Sequence, residues 1–185
     1  MGVEITEMAV ESSAIDGLFV ITMKQARDER GVVREFYRRS SWLEHGLPDL
    51  GAWHQMNITE SNPGAIRGLH GEDMNKLVAI VAGRAFGAYV DTRPESPSLG
   101  QVVTVELDAG VQVLVPKGVC NGFQSLTPTQ YLYSFDAEWR PGMAGTAVHP
   151  LDPALKIDWP MEPVLSEKDA AQPTFAQAVE GRAAR

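Results

Sequence analysis

Apolar residues return at every second position through long stretches of this chain. Val103, Val105 and Leu107 alternate with Thr104, Glu106 and Asp108, and Val111, Val113 and Val115 follow before Pro116-Lys117-Gly118 interrupts. A period of two places successive side chains on opposite faces of an extended backbone, so the pattern calls for strands. Leu77 to Val81 and Ala85 to Val90 read as two further strands around Gly83-Arg84. Gln130 to Phe135 is another, with Tyr131 and Tyr133 on one face and Leu132 on the other, and Asn62-Pro63-Gly64 is a turn signal. Short strands with Gly/Pro turns predict an all-β sandwich or barrel. Helix is scarce. Ser41-Trp42-Leu43-Glu44 has capping-box spacing with Gly46 as a stop, and Thr174 to Glu180 after Pro173 predicts a second short helix. The segment from Glu180 to Arg185 is expected to fray. Nothing between residues 10 and 170 reads as a linker, so one domain over 1–185 is expected.

Charge and cysteine usage narrow the function. The formal net charge of -8 argues against a nucleic-acid binder held by bulk electrostatics, so an anionic ligand would need a local Arg/Lys cluster. The single cysteine, Cys120, excludes an intrachain disulfide and suits a reducing cytoplasm. No apolar run reaches membrane-span length, and the mixed, acidic Met1–Met8 segment does not read as a signal peptide.

His70 closes the run Ala65-Ile66-Arg67-Gly68-Leu69-His70, with no second His or Cys within a few residues. A metal-binding barrel of this kind places two His close together on a strand and a third ligand later; His45, His54 and His149 are scattered, so a metal site is not expected. A lone His reaching a barrel interior fits a proton-transfer base, although a hydrogen-bonded core His is the commoner fate. Arg67 lies three residues away at opposite strand parity; it reads as a surface residue or a phosphate clamp. Arg27, Asp28, Glu29, Arg30 and Arg34 form a charged segment of the kind that is most often a solvated loop. Tyr133 and Trp139 have the alternative of plain aromatic packing, and Asp169 that of an exposed carboxylate near a helix start. Cys120 reads as a small buried hydrophobe.

Taken in order, several motifs resemble one family. Asp28-Glu-Arg-Gly31 precedes Arg67-Gly-Leu-His70, Lys76-Leu-Val, Val90-Asp-Thr-Arg93 and Ser96-Pro-Ser-Leu-Gly100. Then come Val115-Pro-Lys-Gly118, Asn121-Gly-Phe123, Tyr131-Leu-Tyr133, Ile157-Asp-Trp-Pro160 and Leu165-Ser-Glu-Lys-Asp169. This succession resembles the dTDP-4-dehydrorhamnose 3,5-epimerase family over nearly the whole chain. The resemblance implies a cupin-type jelly roll with a few short peripheral helices, a homodimer, and no metal or other cofactor. It implies a dTDP-4-keto-6-deoxyhexose substrate inverted at C3, C5 or both. By the same resemblance His70 is the base, Asp169 its partner, and Tyr133 the acid on the other face of the sugar. Lys76 lies near the developing enolate oxygen, and Arg67 binds the diphosphate. Arg30 and Glu35 reach the nucleotide from a neighbouring subunit, Gln55 and Asn57 match further contacts, and Trp139 meets the base.

The chain departs from the family pattern at three places. Asn121 stands where a second His is usual, Gly71 to Asn75 is a shortened segment, and Val32-Val33 replaces an aromatic. An amide cannot relay a proton as an imidazole does. Two alternatives come from other classes: a non-catalytic sugar-nucleotide-binding cupin, and a metal-dependent cupin oxygenase or isomerase. The first has no need for His70, Tyr133 and Asp169 together; the second lacks a ligand cluster.

Overall fold

The period-two segments form antiparallel sheets in a computed structural model that describes residues 2–184. The strands are β1 (Glu4–Thr6), β2 (Ala9–Ser12), β3 (Phe19–Thr22), β4 (Gln25–Asp28), β5 (Gly31–Arg34), β6 (Gln55–Ser61), β7 (Ile66–Glu72) and β8 (Lys76–Ala82). They continue with β9 (Ala85–Asp91), β10 (Val102–Leu107), β11 (Val111–Val115), β12 (Val119–Ser125), β13 (Thr129–Phe135) and β14 (Gly145–Ala147). Helix α1 (Arg39–Glu44) precedes β6, while α2 (Glu167–Ala170) and α3 (Phe175–Ala183) close the chain. One sheet runs β10-β9-β12-β7-β14, a second runs β2-β3-β11-β8-β13-β6, and a small third sheet is β1-β4-β5. This is the mostly-β jelly roll expected, with few short helices.

The chain crosses between the two large sheets at nearly every step from β7 to β14. Gly83 makes one such crossing possible. It joins β8 to β9, which lie in different sheets, so the two strands flanking it are not a hairpin. Its φ is +85°, and a Cβ there would sit 2.2 Å from the Pro128 carbonyl oxygen. The inner faces of both sheets supply the main core, including Val78, Ile80, Tyr89, Val113, Val115, Phe123 and Tyr131. Strand β8 is buried from Lys76 to Ile80 without alternation. Val78 and Ile80 enter the main core, while Leu77 packs outward with Ile21, Trp42, Leu47 and Leu114. A strand covered on both faces loses the polar half of its pattern.

Two helical expectations are corrected. Helix α1 begins after Arg38, which supplies no side-chain cap, so Ser41 lies inside the helix and the Ser41–Glu44 capping box does not form. The box forms instead in α3, between Thr174 and Gln177. Helix α3 also continues to Ala183, so the tail expected to fray from residue 180 is helical there. Arg182 ties it down by donating to the Gly118 carbonyl at 2.8 Å and to Thr92 Oγ1 at 3.2 Å. Arg185 lies outside the described residues.

Candidate active site

Arg67 and His70 belong to β7 and face the same cavity, although their spacing assigns them to opposite faces of a regular strand. The register explains it. His70 pairs with Asn121 and Arg67 with Phe123, so three steps on β7 oppose two on β12. That is a β-bulge, and its extra residue restores a common face. The backbones approach closely there: a Cβ on Gly68 (φ +126°) would lie 2.6 Å from Gly122 Cα. The parity expected from spacing is therefore corrected, and glycines at 68 and 122 make the correction possible.

The cavity of about 320 Å³ is lined by Arg67, His70, Lys76, Asn121, Tyr133 and Asp169, among others. A second cavity of about 660 Å³ adjoins it, sharing His70, Glu72 and Tyr133 and adding Gln55, Asn57 and Trp139. Residues far apart in sequence meet here because β6, β7, β8, β12 and β13 all present inward faces to one end of the roll, with α2 against β7.

His70 Nε2 lies 2.8 Å from Asp169 Oδ1, across 99 positions of sequence. An ionised Asp169 accepts the Nε2 proton, which leaves Nδ1 as the basic nitrogen of the neutral ring. Asp169 is itself oriented. Ser166 caps α2, its Oγ accepting from the Asp169 amide at 3.1 Å and donating to Asp169 Oδ2 at 3.0 Å. The spacing Ser166-Glu-Lys-Asp169 is a capping signal that could have shown how this carboxylate is held.

Lys76 is almost fully buried. Its ammonium donates to Asn121 Oδ1 at 2.5 Å and to the His70 carbonyl at 3.2 Å, and it forms an ion pair with Glu72. The Phe135 ring centroid is 5.9 Å from Nζ. Glu72 is a member of the site that no sequence signal marks. Behind these groups Phe123 stacks on Tyr131 at 4.0 Å, and burial raises the Tyr131 phenol well above its ordinary range, opposed in part by the Asn121 side chain. Tyr133 packs edge-on against Phe135 and pairs in register with Asn57.

Arg67 is exposed, and its guanidinium donates to Ser61 Oγ at 2.8 Å and to the Glu60 carbonyl at 3.2 Å. Gln55 Oε1 accepts from the Trp139 amide at 2.8 Å, fixing the loop that presents the indole. Arg30 and Glu35 are not brought to this centre. Arg30 is at the β4–β5 turn, held by Asp28, and Glu35 pairs with Arg38; neither lines the two cavities around His70. Among the described residues no group of three or more His, Cys, Asp or Glu side chains is placed to hold a metal ion, and no helix is long and apolar enough to cross a membrane.

The arrangement can move a proton to or from carbon. A neutral imidazole backed by a carboxylate can accept one, a fixed ammonium can stabilise a neighbouring oxyanion, and a phenol shares the cavity. Comparison with known proteins agrees with that chemistry. The family model for dTDP-4-dehydrorhamnose 3,5-epimerase matches residues 12–177. The dTDP-4-dehydrorhamnose 3,5-epimerase of Salmonella typhimurium is 35% identical over 181 residues, covering 93% of this chain and 98% of that protein. A dTDP-4-dehydrorhamnose 3-epimerase of Streptomyces niveus is 32% identical, covering 92% and 86%. The crystal structure of NovW, a 4-keto-6-deoxy sugar epimerase from the novobiocin biosynthetic gene cluster of Streptomyces spheroides, superposes with a TM-score of 0.87 at 32% identity, covering 95% of this chain and 92% of that one. A match spanning almost every strand, around a site whose His, Lys, Tyr and Asp share one cavity, leaves one conclusion: this chain belongs to the dTDP-4-dehydrorhamnose 3,5-epimerase family.

Proposed function

We propose that the protein epimerises a dTDP-4-keto-6-deoxyhexose, dTDP-4-keto-6-deoxyglucose or a close relative, at C3, C5 or both. The observation that carries this reading is the His70–Asp169 pair at 2.8 Å in a cavity shared with Lys76 and Tyr133. The C4 ketone acidifies the protons on C3 and C5. His70 removes one of them, and the electron pair of the C–H bond moves to the C4 oxygen as an enolate. Asp169 balances the imidazolium that forms. Lys76 stabilises the enolate oxygen. Tyr133 then donates its phenolic proton to the opposite face of the carbon, the enolate collapses to the ketone, and the centre is inverted. Positioned general acid–base groups are each worth about 10²–10⁴-fold in rate. No cofactor enters this scheme.

Arg67 holds the diphosphate, and Asn121 lies beside the sugar. Gln55, Asn57 and Trp139 receive the nucleoside in the adjoining cavity. Arg30 and Glu35 complete the nucleotide site from a second copy of the chain, in a homodimer of the cytoplasm. Two features support that assembly. The β4–β5 hairpin that carries Arg30 stands apart from its own chain's cavities. Its sheet also exposes Ile5 and Val33 in one cross-strand row through Ala26. A non-catalytic nucleotide-binding cupin has no use for an oriented imidazole–carboxylate pair.

The test is solvent-deuterium incorporation. Incubated with dTDP-4-keto-6-deoxyglucose in deuterated water, the protein should place deuterium at C3, C5 or both, and His70→Asn should abolish this at every carbon. Tight dTDP binding without exchange would establish the non-catalytic alternative.

A further inference from the structure

Lys76 and Glu72 form an ion pair inside the catalytic cavity, the ammonium buried and the carboxylate partly exposed, and nothing in the proposed proton transfers uses Glu72. The carboxylate belongs to β7, two residues beyond His70 and so on the same face, and it lines both cavities that meet at His70. Lys76 is four residues further on, at the start of β8, with its side chain 6% exposed. An ammonium has three protons to donate. Asn121 Oδ1 and the His70 carbonyl accept two of them, and Glu72 Oε2, a buried oxygen with no hydrogen-bond partner of its own, stands in ion-pair contact with the same nitrogen. They come from β7 and β12, and the Phe135 ring closes the site from β13.

We infer that Glu72, with Asn121, is a positioning residue that clamps the Lys76 ammonium, keeping it charged and aimed. Lys76 then acts on the C4 oxygen as a fixed electrostatic partner and not as a mobile proton donor. The inference rests on the epimerase reading for its catalytic consequence, but the clamp itself does not. Its logic is desolvation. A buried ammonium holds its proton only when charge and hydrogen bonds replace the missing water. Glu72 supplies the opposite charge. Asn121 supplies an acceptor that is present at every pH, which an imidazole at this position would not guarantee. The His70 carbonyl, at 3.2 Å, accepts the longer of the two hydrogen bonds to Asn121 and His70. It is the partner that yields when a substrate oxygen enters, because the other two hold the head in place. The remaining titratable groups of the cavity are His70 from β7, Tyr131 and Tyr133 from β13, and Lys168 and Asp169 from α2, with Arg67 at its edge. On the other side of Glu72, Arg182 of α3 and Asp73 line the adjoining cavities with it.

The test compares wild type, Glu72→Gln and Glu72→Asp in the full-length chain, with two readouts. The first is carbamylation by cyanate, which attacks neutral amines only, followed by peptide mass mapping of Lys76. Glu72→Gln should accelerate labelling of Lys76 by about tenfold or more at pH 8, since a buried ammonium without its counter-charge gives up its proton. Glu72→Asp should label like wild type. The second readout is the rate of substrate deuterium exchange set beside the dissociation constant for dTDP. Glu72→Gln should lose about tenfold or more in exchange rate at saturating substrate, while its affinity for dTDP stays within about twofold, because the variant changes a charge and leaves the nucleotide site intact. Equal Lys76 labelling in wild type and Glu72→Gln would overturn the clamp whether or not any exchange is seen. Absence of exchange in the wild type would instead count against the epimerase reading and leave the labelling result to decide on Glu72. Should Glu72→Gln fail to fold, Asn121→Leu, which removes the other acceptor, must show faster labelling, and wild-type labelling there would equally overturn the clamp.

Discussion

Replacing Asp169 by Asn retains the size of the side chain and removes the charge behind His70. The carboxylate is nearly fully buried and holds Nε2 through a hydrogen bond of 2.8 Å. A charge-assisted hydrogen bond contributes about 1.5–3 kcal/mol. Once the imidazole has taken a proton, opposite charges about 4 Å apart attract by about 4 kcal/mol at an effective dielectric constant near 20. The His70 side chain is 35% exposed, so solvent screens part of that attraction. The transition state carries only part of the positive charge. A net cost of about 2 kcal/mol follows, or about 30-fold in the rate of proton removal. The amide can add to this by donating to Nε2 and driving the ring proton onto Nδ1, the nitrogen needed as base. The assay is the initial rate of deuterium entry into saturating dTDP-4-keto-6-deoxyglucose, followed by NMR, beside the dissociation constant for dTDP. Exchange should fall about 30-fold or more with dTDP affinity unchanged within about twofold. A rate within about threefold of wild type would refute the argument that Asp169 acts through His70.

Other predictions concern binding, reactivity and stability. Arg67→Ala should weaken dTDP binding by about 10- to 100-fold in calorimetry without unfolding the protein, given the strength of charge-assisted phosphate contacts; unchanged affinity would remove Arg67 from the phosphate site. Burial pushes the Cys120 thiol up to about 12, opposed by its contact with Thr92. A thiol-specific disulfide reagent at about pH 8 should therefore leave Cys120 unmodified in the native protein and react with one thiol after denaturation. Burial favours protonation of Asp91, but bonds from Arg93, Ser96 and Ser98 outweigh it and hold the carboxyl well below the usual carboxylate range. Its stabilising contribution is then complete above the unfolded value of about 3.9 and is lost as pH falls below that value toward the folded one. Asp91→Asn should cost about 3 kcal/mol at pH 7 in denaturant unfolding and flatten the acid limb between about pH 4 and 2; an unchanged acid limb would contradict the assignment.

Much of the fold was legible because strands with one face in the core keep their alternation, as at β10 and β13. What was not legible depended on tertiary context. Gly83 marks a crossing between sheets, and a two-residue gap between apolar runs looks the same as a hairpin until the pairing partners are known. Strand β8 hides its period because α1 and its neighbours cover the outer face. The bulge opposite Asn121 and Phe123 reverses the parity that spacing alone assigns to Arg67 and His70. Within the site, His70 stood out by residue type, whereas Asp169 and Tyr133 became candidates for its partners through the order of motifs along the chain. The Ser166 cap that aims Asp169 left a local signal in Ser166-Glu-Lys-Asp169. Glu72 left none, since its meaning lies in an ion pair formed across a strand turn.

The central claim is that His70 removes the α-proton and Tyr133 returns one to the other face. The most direct measurement follows both events in one sample: NMR of dTDP-4-keto-6-deoxyglucose with the Tyr133→Phe variant in deuterated water. The phenyl ring keeps its packing on Phe135 while the acid is gone. Deuterium should still enter C3, C5 or both with the starting configuration retained, and inversion should fall far below wild type. Inversion by Tyr133→Phe at the wild-type rate would contradict the account and assign the returned proton to another donor.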